Sequence, residues 1–467
     1  MRRAALILCW LSFGLAYGQE RVQVLLLPDY MDQVRMNHPA ARQADLTRDE
    51  GEAKLLKAKG FWDPKLEGDI SQKYFKGLEY YSYAGGGLVI PGPLGLKFQS
   101  GFDQTRGVFL NPEANLPEAG LWHAGVSLPL GRGLGMDERR RELRVARIGR
   151  DAATVARGLE LNDLFLKAQM AYWDWVAAWH NREVANEGIQ LTSVRQEGVR
   201  NQFRQGEKPA VDTLEARIQL QKRQLTQAKA EATYRKAVGY LSNFLWDEGG
   251  QPILLGDDMQ PPAISYEIPT VDLNNDSLQS WLRTALSHPD IQLLNAKLAQ
   301  LDVDRKWARE QVKPRLDVKY NALVQPTGGS SEQGLTWNPS NYTWGLQAEI
   351  PIFFRKGRGE VQINRIKTAD TRLKQDKRAN ELRTALIAQY QVIQQIREQI
   401  DALSRTLNDS RDLLEAEKLR FELGESSLFL VNSRESSYLS ARVDMIQLQA
   451  AYQQSRIQAD WLQGKLQ

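Results

Sequence analysis

Four stretches of the chain alternate apolar and polar residues with a period of two. Leu66, Ile70 and Tyr74 share one face of 66–75, and Glu67, Asp69, Ser71 and Lys73 share the other. In 315–324, Leu316, Val318, Tyr320, Ala322 and Val324 oppose Arg315, Asp317, Lys319 and Asn321. Trp122, Ala124, Val126 and Leu128 interleave with His123, Gly125 and Ser127; Trp344, Leu346, Ala348 and Ile350 interleave with Gly345, Gln347 and Glu349. This pattern predicts strands of a sheet with one apolar and one wet face. Aromatic residues flank them (Tyr80, Tyr81, Tyr83, Trp122, Trp337, Tyr342, Trp344), which suits a membrane-interface girdle or the edge of a soluble aromatic core.

Elsewhere the period is helical. Ile393, Ile396, Ile400, Leu403 and Leu407 step by three and four, as do Tyr438, Ala441, Met445, Leu448 and Tyr452. This is coiled-coil spacing. No proline interrupts 130–208, 210–251 or 352–467. Gly206 and Gly424 stand where each long helix turns back, and Pro209 suits the first position of the returning helix. Seventy helical residues span roughly 100 Å, so such helices must lie against one another or against partner chains.

The landmarks recur in order. Asn37-His38-Pro39 returns as Ser287-His288-Pro289, and Pro64-Lys65-Leu66 as Pro314-Arg315-Leu316, both at an offset of 250. Trp122 and Pro129 return as Trp344 and Pro351, and Phe203-x-x-Gly206 as Phe421-x-x-Gly424. The chain therefore reads as a duplicated unit of two strands plus long coiled-coil helices. The first repeat covers 19–250, with strands about 64–84 and 100–130 and long helices about 136–204 and 209–246. A linker rich in Pro, Gly and Asp covers 251–275. The second repeat covers 276–467, with strands about 314–325 and 341–352 and helices about 360–422 and 427–463. Pro64 to Pro129 spans 65 residues against 37 from Pro314 to Pro351, so the first half is expected to carry a loop longer by about 28.

Residues 1–18 place Arg2 and Arg3 before an apolar run and end on Ala16-Tyr17-Gly18, the pattern of a secretory signal peptide. The single cysteine, Cys9, lies inside that run, so the mature chain has no disulfide or thiol nucleophile. The formal charge of +4 in 467 residues makes no case for nucleic acid. His38, His123, His180 and His288 are scattered, no metal or cofactor is expected, and no catalytic motif is present. The fold is mostly α with a sheet portion, and an enzyme is not expected.

A transmembrane barrel needs at least about eight strands, and open edges are not tolerated in lipid. Four strands per chain would have to be pooled among copies. The paired His-Pro motifs, the strand openings Pro64-Lys65-Leu66 and Pro314-Arg315-Leu316, the endings Leu128-Pro129-Leu130 and Ile350-Pro351-Ile352, and the tips Phe203-Arg204-Gln205-Gly206 and Phe421-Glu422-Leu423-Gly424 together resemble the TolC-type outer membrane efflux family. The resemblance runs from about residue 28 to 467. It implies a homotrimer with a 12-stranded β-barrel in the outer membrane, continuous with an α-helical barrel across the periplasm. It also implies a passive exit duct of a tripartite efflux or type I secretion system, served by an inner-membrane transporter and a periplasmic adaptor protein. The alternative is a periplasmic or cell-surface coiled-coil scaffold without channel activity.

The same resemblance assigns adaptor contact to the helix-turn tips: Gly206, Lys208, Pro209, Gly424, Glu425 and Ser426. It places carboxylates just past one tip at the closed entrance. Asp212 and Glu215, six and nine residues past Gly206, share a helix face and are expected to ring that constriction. Acids in a first helical turn also simply favour the helix dipole. The second half has Leu430 and Ser433 at the matching positions, so any acidic ring comes from the first half.

Overall fold

The structure is a computed structural model and describes residues 23–256, 258–263, 275–327 and 334–466. The signal peptide read at 1–18 and most of the second half of the 251–275 linker lie outside the described residues.

The chain runs β1 (Gln23–Val24), α1 (Leu27–Asn37), α2 (Pro39–Lys59), β2 (Lys65–Phe75), β3 (Leu78–Pro91), β4 (Lys97–Arg106), β5 (Leu121–Pro129), α3 (Glu138–Arg204) and α4 (Ala210–Ser242). It continues with β6 (Met259–Gln260), α5 (Asn275–Ala285), α6 (Pro289–Glu310), β7 (Arg315–Thr327), β8 (Gly334–Glu349), α7 (Arg355–Glu422) and α8 (Leu428–Leu462). β1 and β6 form a small parallel pair, and the other six strands form one antiparallel sheet in the order β2-β3-β4-β5-β7-β8. α3 and α7, with 67 and 68 residues, are each roughly 100 Å long.

The strand count differs from the sequence reading. Two strands are expected in the first half, about 64–84 and 100–130; the structure has four. The surplus expected as loop is a hairpin, β3 and β4, joined by a tight turn at Pro93–Gly95. Its register continues the sheet without a break, from Leu66 opposite Leu88 to Leu88 opposite Ser100 and Ser100 opposite Ala124.

Four helices, α2, α3, α6 and α8, are started by side chains that satisfy otherwise unpaired N–H groups. Asp137 accepts from the Arg140 N–H at 3.0 Å at the head of α3, and Ser427 from the Leu430 N–H at 3.3 Å at the head of α8. The two His-Pro motifs are also caps: His38 Nδ1 accepts from the Ala40 N–H at 3.1 Å and His288 Nδ1 from the Asp290 N–H at 3.2 Å. Proline at the first position of α2 and α6 costs nothing, because that N–H has no helical partner.

The largest core lies where α1, α2 and α4 pack on the middle of α3. Tyr30, Val34, Tyr172, Trp175 and Leu241 are wholly buried there. Tyr30 and Tyr172 stack at 5.5 Å, and their hydroxyls donate to the carbonyls of Ala168 (3.2 Å) and Leu25 (2.9 Å). The α7–α8 seam holds Ile393, Ile400, Met445 and Tyr452, with Ile396, Leu403, Leu407 and Leu448 packed against them. These are the three-four positions of the sequence.

Candidate functional site

Two regions stand apart from this packing: the sheet wall at one end and the helix-turn tips at the other. In the wall, paired residues of antiparallel neighbours point to the same side, so the register sorts every strand onto two faces. One face collects Leu66, Ile70, Leu88, Ile90, Phe98, Phe102, Trp122, Val126, Val318, Tyr320, Trp344 and Leu346. Many are exposed: Leu66 at 86%, Ile70 at 82%, Trp344 at 68%. Such a contiguous apolar surface marks contact with lipid or a partner.

The opposite face is polar and lies close to the backbone. Tyr83 donates to Asp103 Oδ1 at 3.0 Å, and His123 Nδ1 lies 3.2 Å from Asp103 Oδ2. Gln99 donates to Asn321 at 2.6 Å. Glycines beneath these side chains make room for them. A Cβ on Gly125 would meet Asn321 Oδ1 at 2.1 Å, and one on Gly101 would meet His123 Cε1 at 2.7 Å.

At the other end, both tips close in the same way. Gly206 and Gly424 each have φ +80°, a left-handed conformation that only glycine adopts cheaply. The Glu207 N–H donates to Gln202 O at 2.9 Å and the Glu425 N–H to Arg420 O at 2.8 Å, which satisfies the last carbonyls of α3 and α7. The tips sit side by side: the Lys208 ammonium is 4.9 Å from the Phe421 ring centre, and Val199, Ala216 and Leu428 are buried with Phe421 packed on them. Gly206, Pro209, Gly424 and Glu425 are exposed, whereas Lys208 and Ser426 are half-buried. Ser426 donates to the buried Glu417. Pro209 is the residue before α4, with ψ 159°, one position earlier than its expected place inside the helix.

Asp212 and Glu215 lie on the first turns of α4, both half-buried. Glu215 borders a groove between α4 and α8 with Leu214, Ile218, Phe429 and Ser433. Leu430 and Ser433, at the matching place of the second half, are exposed on α8. The structure thus brings all the expected tip residues to one end of the helical section.

An ionic cluster that the sequence reading missed lies above the tips. Glu435 of α8 is fully buried, pairs with Arg195 of α3 and lies 3.7 Å from Arg223 of α4. Thr192 donates to Glu435 at 3.4 Å, Arg195 to Asn432 at 2.8 Å, and Arg223 to Ser436 at 3.0 Å. Burial lowers the pKa of the Arg223 guanidinium, and the Glu435 charge works against that. Higher up, Arg442 pairs with Glu187 across the same α3–α8 contact. The signal was available: Glu435 falls between Val431 and Leu439, at four-residue steps in the buried stripe of α8.

Among the described residues no three His, Cys, Asp or Glu side chains gather where they could hold a metal. Nor is any described helix long and apolar enough to cross a membrane, which says nothing of the sheet.

The comparisons with known proteins bear on this two-ended architecture. Residues 281–462 match the family model of the outer membrane efflux proteins. The chain resembles the TolC-type outer membrane efflux family. Its fold is that of several solved channels of this type. The open-state MtrE outer membrane channel of Neisseria gonorrhoeae aligns with a TM-score of 0.68 at 16% identity, over 94% of this chain and 89% of that one. The CmeC outer membrane channel of Campylobacter jejuni aligns with a TM-score of 0.64 at 16% identity, over 94% and 85%. The outer membrane protein VceC of Vibrio cholerae aligns with a TM-score of 0.66 at 11% identity, over 94% and 95%. A search of curated proteins finds no match. At these identities the efflux-channel likeness of the whole chain is one of fold, and the sequence match is confined to the second half.

Proposed function

We propose that this chain is the outer membrane channel component of a tripartite efflux or type I secretion assembly. Three copies pool their sheets into a barrel in the outer membrane. Their helices form a tube through the periplasm, and substrates leave passively after an inner-membrane transporter and a periplasmic adaptor deliver them. The signal peptide reading, the duplicated unit and the homotrimer belong to this proposal.

The observation that carries it is the sheet wall: one exposed apolar face, one polar face, joined directly to ~100 Å helices. A soluble scaffold would leave that apolar face in water, so the wall favours the channel. In the test, mature protein is extracted from membranes and reconstituted in planar bilayers. The channel reading expects a detergent requirement and stepwise conductance; a protein that stays in plain buffer and conducts nothing refutes it.

Within this reading the tips Gly206, Lys208, Pro209, Gly424, Glu425 and Ser426 meet the adaptor, and Asp212 and Glu215 ring the inner constriction. Three chains would place six carboxylates there, enough to concentrate cations. Asp212→Asn with Glu215→Gln is expected to lower cation selectivity and relieve block by divalent ions in single-channel recordings. Unchanged selectivity and block would remove both residues from the constriction.

A further inference from the structure

The four-strand count that gives a 12-stranded barrel does not fit the observed sheet. Among the described residues, six strands of each chain form one antiparallel sheet, with register shifts after Lys73 in β2 and between Ala322 and Val324 in β7, and β2 and β8 are its free edges. The added hairpin follows the two-faced rule of its neighbours. Leu88, Ile90, Phe98 and Phe102 join the apolar face; Val89, Gln99, Gly101 and Asp103 join the other. Leu88, Ile90 and Phe98 are 40%, 40% and 47% exposed, as fits residues left facing outward. A plug folded into the lumen or a loop above the membrane has no need of that alternation in phase with the wall.

The free edges fit a second copy of the same chain. With six strands, β2 and β8 run in opposite directions, so β8 of one copy meets β2 of the next antiparallel. The chain contains a template for that junction. β5 meets β7 with Val126 opposite Tyr320 and Trp122 opposite Val324. The matching residues of β8 and β2, at the recurring offsets, are Ala348 and Trp344, and Ile70 and Tyr74. The same junction between copies puts Ala348 beside Ile70 and Trp344 beside Tyr74, all on the apolar face.

We infer that each copy contributes all six strands to the membrane wall, with the β3–β4 hairpin facing lipid, so that the trimer closes an 18-stranded barrel. This rests on the trimeric channel proposed above. An even count of 18 lies within the known range for such barrels. Diameter grows roughly in proportion to strand number, so the pore is about one and a half times as wide as a 12-stranded one.

The test uses the mature protein, which lacks cysteine once the leader holding Cys9 is removed, reconstituted in liposomes with nitroxide labels at single introduced cysteines. Leu66→Cys and Leu346→Cys report the strands common to both barrels, and Leu88→Cys and Phe98→Cys report the hairpin. The 18-stranded wall expects all four labels to be relaxed by oxygen in the lipid and shielded from a water-soluble nickel chelate, with Gln99→Cys reversed. If Leu66 and Leu346 face lipid while Leu88 and Phe98 face water, the six-strand wall is wrong and the channel stands. If all four face water, the channel reading falls with it. Electron cryo-microscopy of the unlabelled trimer gives an independent count: 18 strands support the inference, and 12 overturn it.

Discussion

Trp175 and Trp344 are the same side chain in opposite situations. Trp175, in the middle of α3, is wholly buried among residues of its own chain. Trp344, on β8, is 68% exposed. The contrast extends to their regions. The helical section closes its cores within one chain, around Tyr30, Tyr172 and Leu241 or along Ile393, Ile400 and Met445. The sheet has almost no buried side chains and turns its apolar residues outward. The helices therefore hold the buried apolar packing of the chain, and the sheet leaves an apolar face for lipid or a partner to cover.

The contrast is sharpest if the two tryptophans are cut back in turn. Trp175→Ala leaves a cavity and is expected to cost about 3–5 kcal/mol of stability, read as a lower midpoint in thermal or denaturant unfolding in detergent. Trp344→Ala should barely move that midpoint and should instead weaken insertion into liposomes. Equal effects of the two on unfolding would erase the distinction.

Glu435 probes the helices from the polar side. Glu435→Ala leaves the half-buried Arg195 and Arg223 without their buried carboxylate, expected to cost up to about 3–5 kcal/mol. Glu435→Gln keeps the shape and an acceptor, and should cost less. If both variants unfold like wild type, the cluster is not what joins α3, α4 and α8.

Gly424→Ala and Gly206→Ala should each cost about 1–2 kcal/mol, from forcing a Cβ into the left-handed region. Nothing lies within 4 Å of that Cβ at either position, so the two costs should match. Unequal costs would show that one tip is restrained by more than its turn.

The smallest effect is a dependence on pH. Burial lowers the pKa of His38, His180 and His288, all in the helical section or its flanks. In the unfolded chain these imidazoles take up protons first, near 6.5, so the unfolded state binds more protons and stability rises with pH. Stability is full above about pH 6.5 and falls as pH drops through the lowered folded values. Unfolding midpoints at pH 7.5, 6.5 and 5.5 should decrease in that order; a rise towards acid would contradict the burial of these rings.

Much of this architecture is legible in the sequence where one residue type has one physical use. The three-four spacing of Ile393, Ile396, Ile400, Leu403 and Leu407 describes a seam without reference to anything distant. Phe-x-x-Gly at 203–206 and 421–424 marks two left-handed turns. The β3–β4 hairpin is hidden because Gly85, Gly86 and Gly87 have no side chains to alternate, and Pro91 and Pro93 read as loop. Only pairing with β2 and β5 makes strands of them. Glu435 is hidden for another reason: its partners stand about 240 and 212 residues away, and no local pattern connects them.

The open edges of β2 and β8 have a consequence for a chain on its own. A lone chain carries two rows of unpaired backbone groups beside bare hydrophobic strips, the template for runaway strand-to-strand polymerisation. If copies close a ring in the outer membrane as proposed, closure competes with that chain growth, so yield should depend on how fast copies meet at the bilayer and on how well escorts shield them on the way there.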